Sequence, residues 1–349
     1  MKSFLDGAVI EAISSTVPDK LQKLDEDFLG ITSDEIDKIT KITGIKTVAI
    51  SPKSVTSSDL CADAANVLLS ANPTYRSEIE AVIFVSQSRD FLLPSTSSIL
   101  QDKLGLSKDC LCLDIPSGCT GYIHGLFLAS SLIAANTCKK ILLLCGETNS
   151  KLINKRDRTV SMIFGDAGTA TIIGRSKGKK SYYNFKTDGN GYDKIIVPHG
   201  GCRNPFSQES LEEVEFENGV IRSNLDMKMD GMSVFNFAIN SVPRLVKDSL
   251  EDCALCSSDL NLFAAHQANQ LIVNQLSRKC GFNSSQSPFL AKKFGNTGPP
   301  SIPLLLSEGF SNGENTLEKV MMCGFGVGLN WGVCVLDLSL AKIYPTKIL

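Results

Sequence analysis

The fold class this sequence predicts is α/β, with sheets covered by helices on both faces, and two observations carry it. Several short runs of Val, Ile and Leu are apolar without alternation, the pattern of strands buried on both sides. Amphipathic stretches of helical length separate them. The chain has 349 residues, 43% of them hydrophobic, enough to bury a sizeable core.

In order along the chain, the spacing predicts helices over 57–70, 119–135, 234–251 and 268–280. The last closes as a helix should, with Arg278 and Lys279 in its final turn and Gly281 just beyond. Strands are expected at 81–86, 141–145, 169–173, 320–323 and 332–336. Two pairs of segments echo one another. IEAVIFVSQSRDFLLPSTSSIL and LNLFAAHQANQLIVNQL each read strand, polar turn, helix. MIFGDAGTATIIG and MMCGFGVGLNWGVCVL each read as a Gly-punctuated apolar hairpin. Such an echo fits a duplicated α/β architecture. Between the halves, 176–224 is polar, Gly-rich and charged. It reads as a surface excursion in which 195–197 and 214–216 still offer core residues.

Composition narrows the function. A net charge of -2 and a pI near 6.0 argue against a nucleic-acid binder, which needs excess Lys and Arg for phosphate. Asp6 and Glu11 break any apolar signal segment at the amino terminus. The longest apolar run, 122–135, is interrupted by His124, Ser130 and Ser131. The expectation is a soluble, cytoplasmic protein without a membrane partner. Of twelve cysteines, most sit inside apolar runs, where a free thiol is a small hydrophobe. Cys253-Ala-Leu-Cys256 has no second pair and no nearby His, so neither a zinc site nor a disulfide framework is expected.

Three segments carry candidate chemistry. In Asp114-Ile-Pro-Ser-Gly-Cys-Thr-Gly121, an apolar run leads into a Gly-flanked cysteine that opens a helix. The positive end of a helix favours thiolate and would make Cys119 a nucleophile. A small buried cysteine is the alternative. In Phe263-Ala-Ala-His-Gln-Ala-Asn269, His266 follows an apolar strand where a helix begins, the usual end of an α/β sheet for a site. His124 lies on an apolar helix face and reads as a core residue, and His199 sits on a loop with no obvious partner. In Phe294-Gly-Asn-Thr-Gly298, glycines flank Asn296, which either presents its amide at a tight turn or merely tolerates one. A fourth segment, Cys323-Gly-Phe-Gly-Val-Gly328, offers bare backbone. The order Cys, His, Asn also occurs in papain-like hydrolases, but their cysteine lies near the amino terminus in a CGSCW-like context that is absent here.

SGCTGY, AAHQAN, FGNTG, FGDAGTATIIG and GFGVGLNWG together resemble the diagnostic segments of ketoacyl-acyl-carrier-protein synthase III, in order, from Thr43-Gly-Ile45 to the carboxyl end. The resemblance implies the five-layered αβαβα thiolase fold in two similar halves: 1–175 with the nucleophilic Cys, then the excursion 176–224, then 225–349 with His and Asn. It implies a homodimer in fatty acid and lipid metabolism. It needs no tightly bound cofactor and takes coenzyme A thioesters as substrates, with an acyl carrier protein as partner. Cys119 would hold the acyl thioester, while His266 and Asn296 would hold a malonyl thioester carbonyl as decarboxylation makes it an enolate. The backbone N–H groups of Cys119 and Val327 would form a second oxyanion hole, and Phe325 would wall the site. Arg158, Lys46 and Asn269 would contact the coenzyme, and Arg278 and Lys279 would greet the carrier. Leu93 would cap the partner protomer's acyl pocket, against the reading of an ordinary core leucine.

Several positions depart from the family pattern. Ile36 and Lys46 stand where an aromatic and an arginine grip the nucleotide, and Lys is the poorer planar partner. Met232 replaces an Asn, and Asn236 and Leu271 replace two docking cations. These departures suggest a specialised relative that serves a lipid, polyketide or acylated-sugar precursor. Three other readings compete. One is an acyltransferase that passes the acyl group to an amine or hydroxyl. Another is a hydroxymethylglutaryl-type synthase, disfavoured because Gln87 stands where its carboxylate belongs. The third is a non-catalytic partner subunit, disfavoured because Cys119 is present.

Overall fold

The computed structural model describes residues 1–25, 32–216, 219–313 and 317–349. The elements that build the frame are β1 (Lys2–Val17), α1 (Ser33–Thr43), α2 (Ser57–Ala71), β2 (Ala81–Val85), β3 (Leu111–Ile115), α3 (Gly121–Ala134), β4 (Lys140–Thr148) and β5 (Asp166–Thr187), followed by α4 (Gly231–Asp252), β6 (Leu262–Ala265), α5 (Gln270–Cys280), α6 (Ser301–Phe310), β7 (Val320–Gly326) and β8 (Asn330–Leu336).

The strands run β6-β7-β8-β5-β4-β2-β3, with β1 alongside β5. β5 is 22 residues long and serves two half-sheets: its start pairs with β4 and its end with β8. β1 follows it antiparallel, from Lys2 opposite Asn184 to Thr16 opposite Gly168. The two halves match in topology. β2 and β4 are parallel and β4 and β5 antiparallel; likewise β6 and β7 are parallel and β7 and β8 antiparallel.

Side-chain alternation turns these half-sheets into five layers. Ile83 and Val85 of β2 and Ala264 of β6 face one shared core with Tyr122 and Leu126 of α3 and Ile302 and Leu305 of α6. Val82 and Phe84 face outward onto Ala64, Ala65 and Leu68 of α2. Phe263 and Ala265 face the opposite way, onto Val242 and Leu245 of α4 and Ile272 and Leu276 of α5. The result is αβαβα: helix α2, a half-sheet, α3 with α6, the second half-sheet, then α4 with α5. Apolar runs without alternation arise because both faces of these strands are covered.

Several expectations need correction. Helix 119–135 begins two residues later, at Gly121. The segment 162–174 is no hairpin: from Asp166 on it is the first part of β5, and that strand crosses position 175. Residues 176–187 are therefore frame, and the excursion starts after Thr187. Within the excursion Ile195 is buried, but Val214 and Phe216 are exposed and pair only with Val220–Arg222. The 320–336 segment is a hairpin, β7 with β8. β1 was not anticipated at all.

Helix α4 contains Pro243. A proline has no N–H to give, so the carbonyl four residues earlier loses its helical partner. That carbonyl, on Ile239, receives instead the Nζ of Lys279 from α5 at 2.8 Å.

Candidate active site

Cys119 sits at the turn between β3 and α3 and is buried. The end of β7 lies directly over it. A Cβ on Gly326 would come within 2.9 Å of the Cys119 sulfur, and φ there is +154°, so a bare backbone is required. Burial pushes the Cys119 thiol up to about 12. The Glu147 carboxylate acts in the same direction, against the backbone N–H groups of Val327 and of Cys119 itself. The expectation of a thiol lowered by its helix is therefore corrected: in the closed pocket desolvation outweighs the helix end, and the Val327 and Cys119 N–H groups are what favour a negative charge there.

His266 follows β6 and is buried. Its backbone N–H donates to the Cys323 carbonyl at 2.8 Å, tying it to β7, the strand whose end covers Cys119. Its Nδ1 lies 2.7 Å from Ser301 Oγ at the first turn of α6. The same hydroxyl accepts the Gln267 N–H at 3.4 Å, and in the tautomer in which it also donates to Nδ1 the ring proton sits on Nε2. Burial lowers the His266 pKa to about 3, so the ring is neutral, and the Phe325 ring packs edge-on at 5.4 Å.

Asn296 is fixed by two loops that close on each other. Its N–H donates to the Ile163 carbonyl at 2.8 Å, and its carbonyl accepts the Gly165 N–H at 3.0 Å. A Cβ on Gly165 would lie 2.0 Å from the Phe294 carbonyl oxygen, so the approach needs a glycine. The side-chain Oδ1 accepts the Gly298 N–H at 2.9 Å. Its Nδ2 therefore remains as the outward donor.

A cavity of about 740 Å³ opens onto Cys119, with Phe164, Gly298, Pro299 and Val327 in its wall. The Cys119 elbow and, through Gly298, the Asn296 turn thus meet at one cavity; His266 and Asn296 themselves are not in its lining, and His266 is tied to β7, the strand that covers Cys119. Two residues that the sequence reading missed complete the site. Glu147, at the end of β4, is buried and takes the Gln87 N–H at 2.7 Å, the Ser88 N–H at 3.1 Å and the Ser88 hydroxyl at 2.6 Å. Burial raises its pKa to about 7. A carboxylate closing the apolar run ILLLCGE was the signal for it. Ser301 had none, because only the fold brings it to His266.

The other predicted positions spread out. Leu93 is 86% exposed, which excludes the core-leucine reading; its neighbours Phe91 and Leu92 line the cavity and Leu93 does not. Asn269 caps α5, its Oδ1 accepting the Ile272 N–H at 2.9 Å. Lys46 lines a separate groove with Lys38, Lys41 and Lys292. Ile36 is buried in the core, so it is no surface replacement for an aromatic; Lys38 and Lys41 on the same helix face that groove. Arg158 opens the short helix Arg158–Ser161 and adds to a lowering of the Glu35 pKa that the Thr32 N–H and hydroxyl chiefly cause. Arg278 bonds Gln275, whereas Lys279 points to α4. His124 bonds Ser117 and stacks on Phe185, as a core residue does. His199 has a partner after all, Ser210 at 2.9 Å, and lines the same cavity as Cys119. Met232 and Leu271 are exposed. Among the described residues no helix is long and apolar enough to cross a membrane.

Comparison with known proteins places this geometry. The family profile of 3-oxoacyl-[acyl-carrier-protein (ACP)] synthase III matches residues 113–191, and that of its C terminal part matches 250–338. The beta-ketoacyl-[acyl-carrier-protein] synthase III of Aliarcobacter butzleri is 32% identical, covering 97% of this chain and 99% of its own. That of Natranaerobius thermophilus is 30% identical over 95% and 99%. The crystal structure of 3-oxoacyl-(acyl-carrier protein) synthase from Burkholderia xenovorans LB400 superposes with a TM-score of 0.92 at 33% identity, covering 100% of this chain and 99% of that one.

Proposed function

The chain belongs to the 3-oxoacyl-[acyl-carrier-protein] synthase III family and is an acyl-transferring condensing enzyme, and from that premise we propose that Cys119, His266 and Asn296 perform a decarboxylative condensation. Cys119 takes the acyl group from a donor thioester; its proton leaves on the departing thiol. A malonyl thioester then places its carbonyl oxygen between His266 Nε2 and Asn296 Nδ2. Loss of carbon dioxide puts negative charge on that oxygen, and the resulting enolate carbon attacks the acyl-cysteine. The tetrahedral oxyanion at that carbon rests on the N–H groups of Cys119 and Val327. Its collapse returns the thiolate and releases the ketoacyl thioester.

One observation supports this best: Gly298 occupies Asn296 Oδ1 and Ser301 occupies His266 Nδ1, which leaves an N–H donor on Asn296 Nδ2 and, with the Ser301 hydroxyl donating, on His266 Nε2. Preorganised donors in a closed site are where electrostatic catalysis is largest. Burial, which lowers the His266 pKa to about 3, suits a neutral donor in this role. Phe325, packed on His266, would wall the region where the carboxylate departs. Arg158, Lys46 and Asn269 would meet a coenzyme A thioester. A homodimer is supported by β3, which is the last strand of the sheet, carries the apolar run LCLDI and is only partly buried. Leu93, exposed beside the cavity mouth, would then enter the partner protomer's pocket. The pathway would be a specialised branch of lipid, polyketide or acylated-sugar synthesis, in the cytoplasm.

The test is intact mass spectrometry with a panel of acyl donors, with one portion digested to map the adduct and a malonyl thioester added to the undigested remainder. The expected result is one adduct, on Cys119, discharged with release of carbon dioxide and a ketoacyl product. Transfer to an amine or hydroxyl without carbon dioxide would replace condensation with simple acyl transfer. An adduct that persists in Cys119→Ala would refute the nucleophile.

A further inference from the structure

The cavity that opens onto Cys119 passes from an apolar wall to an imidazole. Val327 stands at the nucleophile's elbow, where a Cβ on Gly118 would come within 3.0 Å of its side chain. Phe164, Ile195 and Met227 form one buried cluster, and both Val327 and Val197 pack against it. Two residues beyond Val197 comes His199, whose N–H donates to the Asn224 carbonyl at 3.0 Å, beside the cavity residue Leu225. The order along the wall is nucleophile, apolar cluster, imidazole. His199 is half-buried and its ring is held: Nδ1 lies 2.9 Å from the hydroxyl of Ser210, which is fully buried and accepts the Ser207 N–H at 3.1 Å. Among the described residues nothing else bonds the ring, so Nε2 is open. About 740 Å³ is room for a whole small ligand. The cavity shares no residue with the Lys46 groove, where the coenzyme would lie, so the acyl group is what it has to hold.

We propose that this cavity takes an acyl group that is apolar along its length and hydroxylated at its far end, and that His199 is the residue that reads the hydroxyl. The proposal rests on the acyl-enzyme reading, in which the acyl group passes from the donor sulfur to Cys119 and the thiol proton leaves on the donor. A hydroxyl both gives and accepts a hydrogen bond, so it satisfies Nε2 in either tautomer of the ring. A carboxylate at that end would meet two acids in the same wall, Asp90 and Glu147, against one cation, Arg89. An ammonium would find no free oxygen. Those of Glu147 are taken by Gln87 and Ser88, while Asp90 accepts the Ser58 hydroxyl at 2.6 Å on Oδ2 and buries Oδ1 without a partner. A plain chain long enough to reach His199 would cover Nε2 and leave it unpaired, which costs stability in the complex.

The experiment times acylation of Cys119 by mass spectrometry with coenzyme A thioesters over a ladder of chain lengths. At each length three donors are compared: the plain chain, the chain hydroxylated at its far end, and the chain hydroxylated at its β-carbon. At the length that spans the cavity, the far-hydroxylated donor acylates about 3- to 10-fold faster than the plain one, the value of one neutral hydrogen bond. His199→Leu erases that ratio, and His199→Gln, which keeps a donor and an acceptor, retains most of it. The ratio is read within one protein, so it does not depend on how much of a variant folds. No preference at any length, a larger preference for the β-hydroxylated chain, or a preference that survives in His199→Leu overturns the assignment, while adducts on Cys119 keep the nucleophile reading. If the wild-type protein forms no adduct with any of these donors, that reading has failed and the inference falls with it.

Discussion

The turn after β2 and the turn after β6 occupy matching places in the two halves, yet they hold their polar residues in opposite ways. After β6, His266 is locked at Nδ1 by Ser301 and keeps its far nitrogen for the site. After β2, Gln87 and Ser88 are held through their own N–H groups by a buried acid, Glu147. One half therefore uses its turn to present a donor, and the other uses it to shape a cavity wall. Burial works on both. It lowers the histidine to about 3 and raises the glutamate to about 7, each towards its neutral form. Duplicating a strand-turn-helix unit does not duplicate its chemistry; the side chain behind the turn decides the outcome.

The largest effect that tests this contrast is on the donor side. His266→Ala and Asn296→Ala should each slow condensation by about 100- to 1000-fold, the usual cost of one lost oxyanion donor. Both should still acylate Cys119, as seen by mass spectrometry. Condensation at the normal rate in either variant would undo the donor assignment. Ser301→Ala should lose about tenfold in condensation and leave acylation intact, because freeing Nδ1 removes one hydrogen bond that fixes the ring. If Ser301→Ala behaves as wild type, the ring is oriented by something else.

A smaller effect concerns pH. The folded pKa of Glu147 lies above its ordinary 4.5, so the folded state holds the extra proton and stability falls as pH rises from about 4.5 to 7. His266 is depressed from 6.5 to about 3, so its contribution is complete above pH 6.5 and is lost as pH falls towards 3. The two slopes oppose each other between pH 4.5 and 6.5. Glu147→Gln removes one of them, so denaturation midpoints should climb more steeply with pH across that window than in wild type. An unchanged slope would show that Glu147 titrates as it does in the unfolded chain. The smallest effect belongs to Leu93→Phe: a shift of preference towards shorter acyl donors, checked by a chain-length profile. The same profile in a folded dimer would remove Leu93 from the pocket.

Much of this was legible in the sequence because it depends on local chemistry. The buried strands announced themselves by unbroken apolar runs, and Cys119, His266 and Asn296 by glycines and strand ends. What escaped was non-local. Ser301 reaches His266 only because α6 packs against β6, and no spacing reveals that. The Cys119 thiol was misjudged because a helix start can be seen in a sequence and the degree of burial cannot. β1 was overlooked because its 16 residues mix Ser, Asp and Glu with apolar ones, even though nearly all of 9–17 is buried on both faces.

The long β1–β5 ribbon has a consequence for how the protein is made. Ile13 pairs with Ile343 and Thr16 with Lys347, so the first strand keeps an open edge until residues near 347 have left the ribosome. Until then a nascent chain carries an unfinished sheet edge, the kind of surface that invites pairing with another molecule. The ribbon also belongs to both half-sheets, so neither half owns a complete frame. A polypeptide cut between β5 and β6 would yield two fragments that each lack a strand the other holds, and such fragments should regain structure only when mixed.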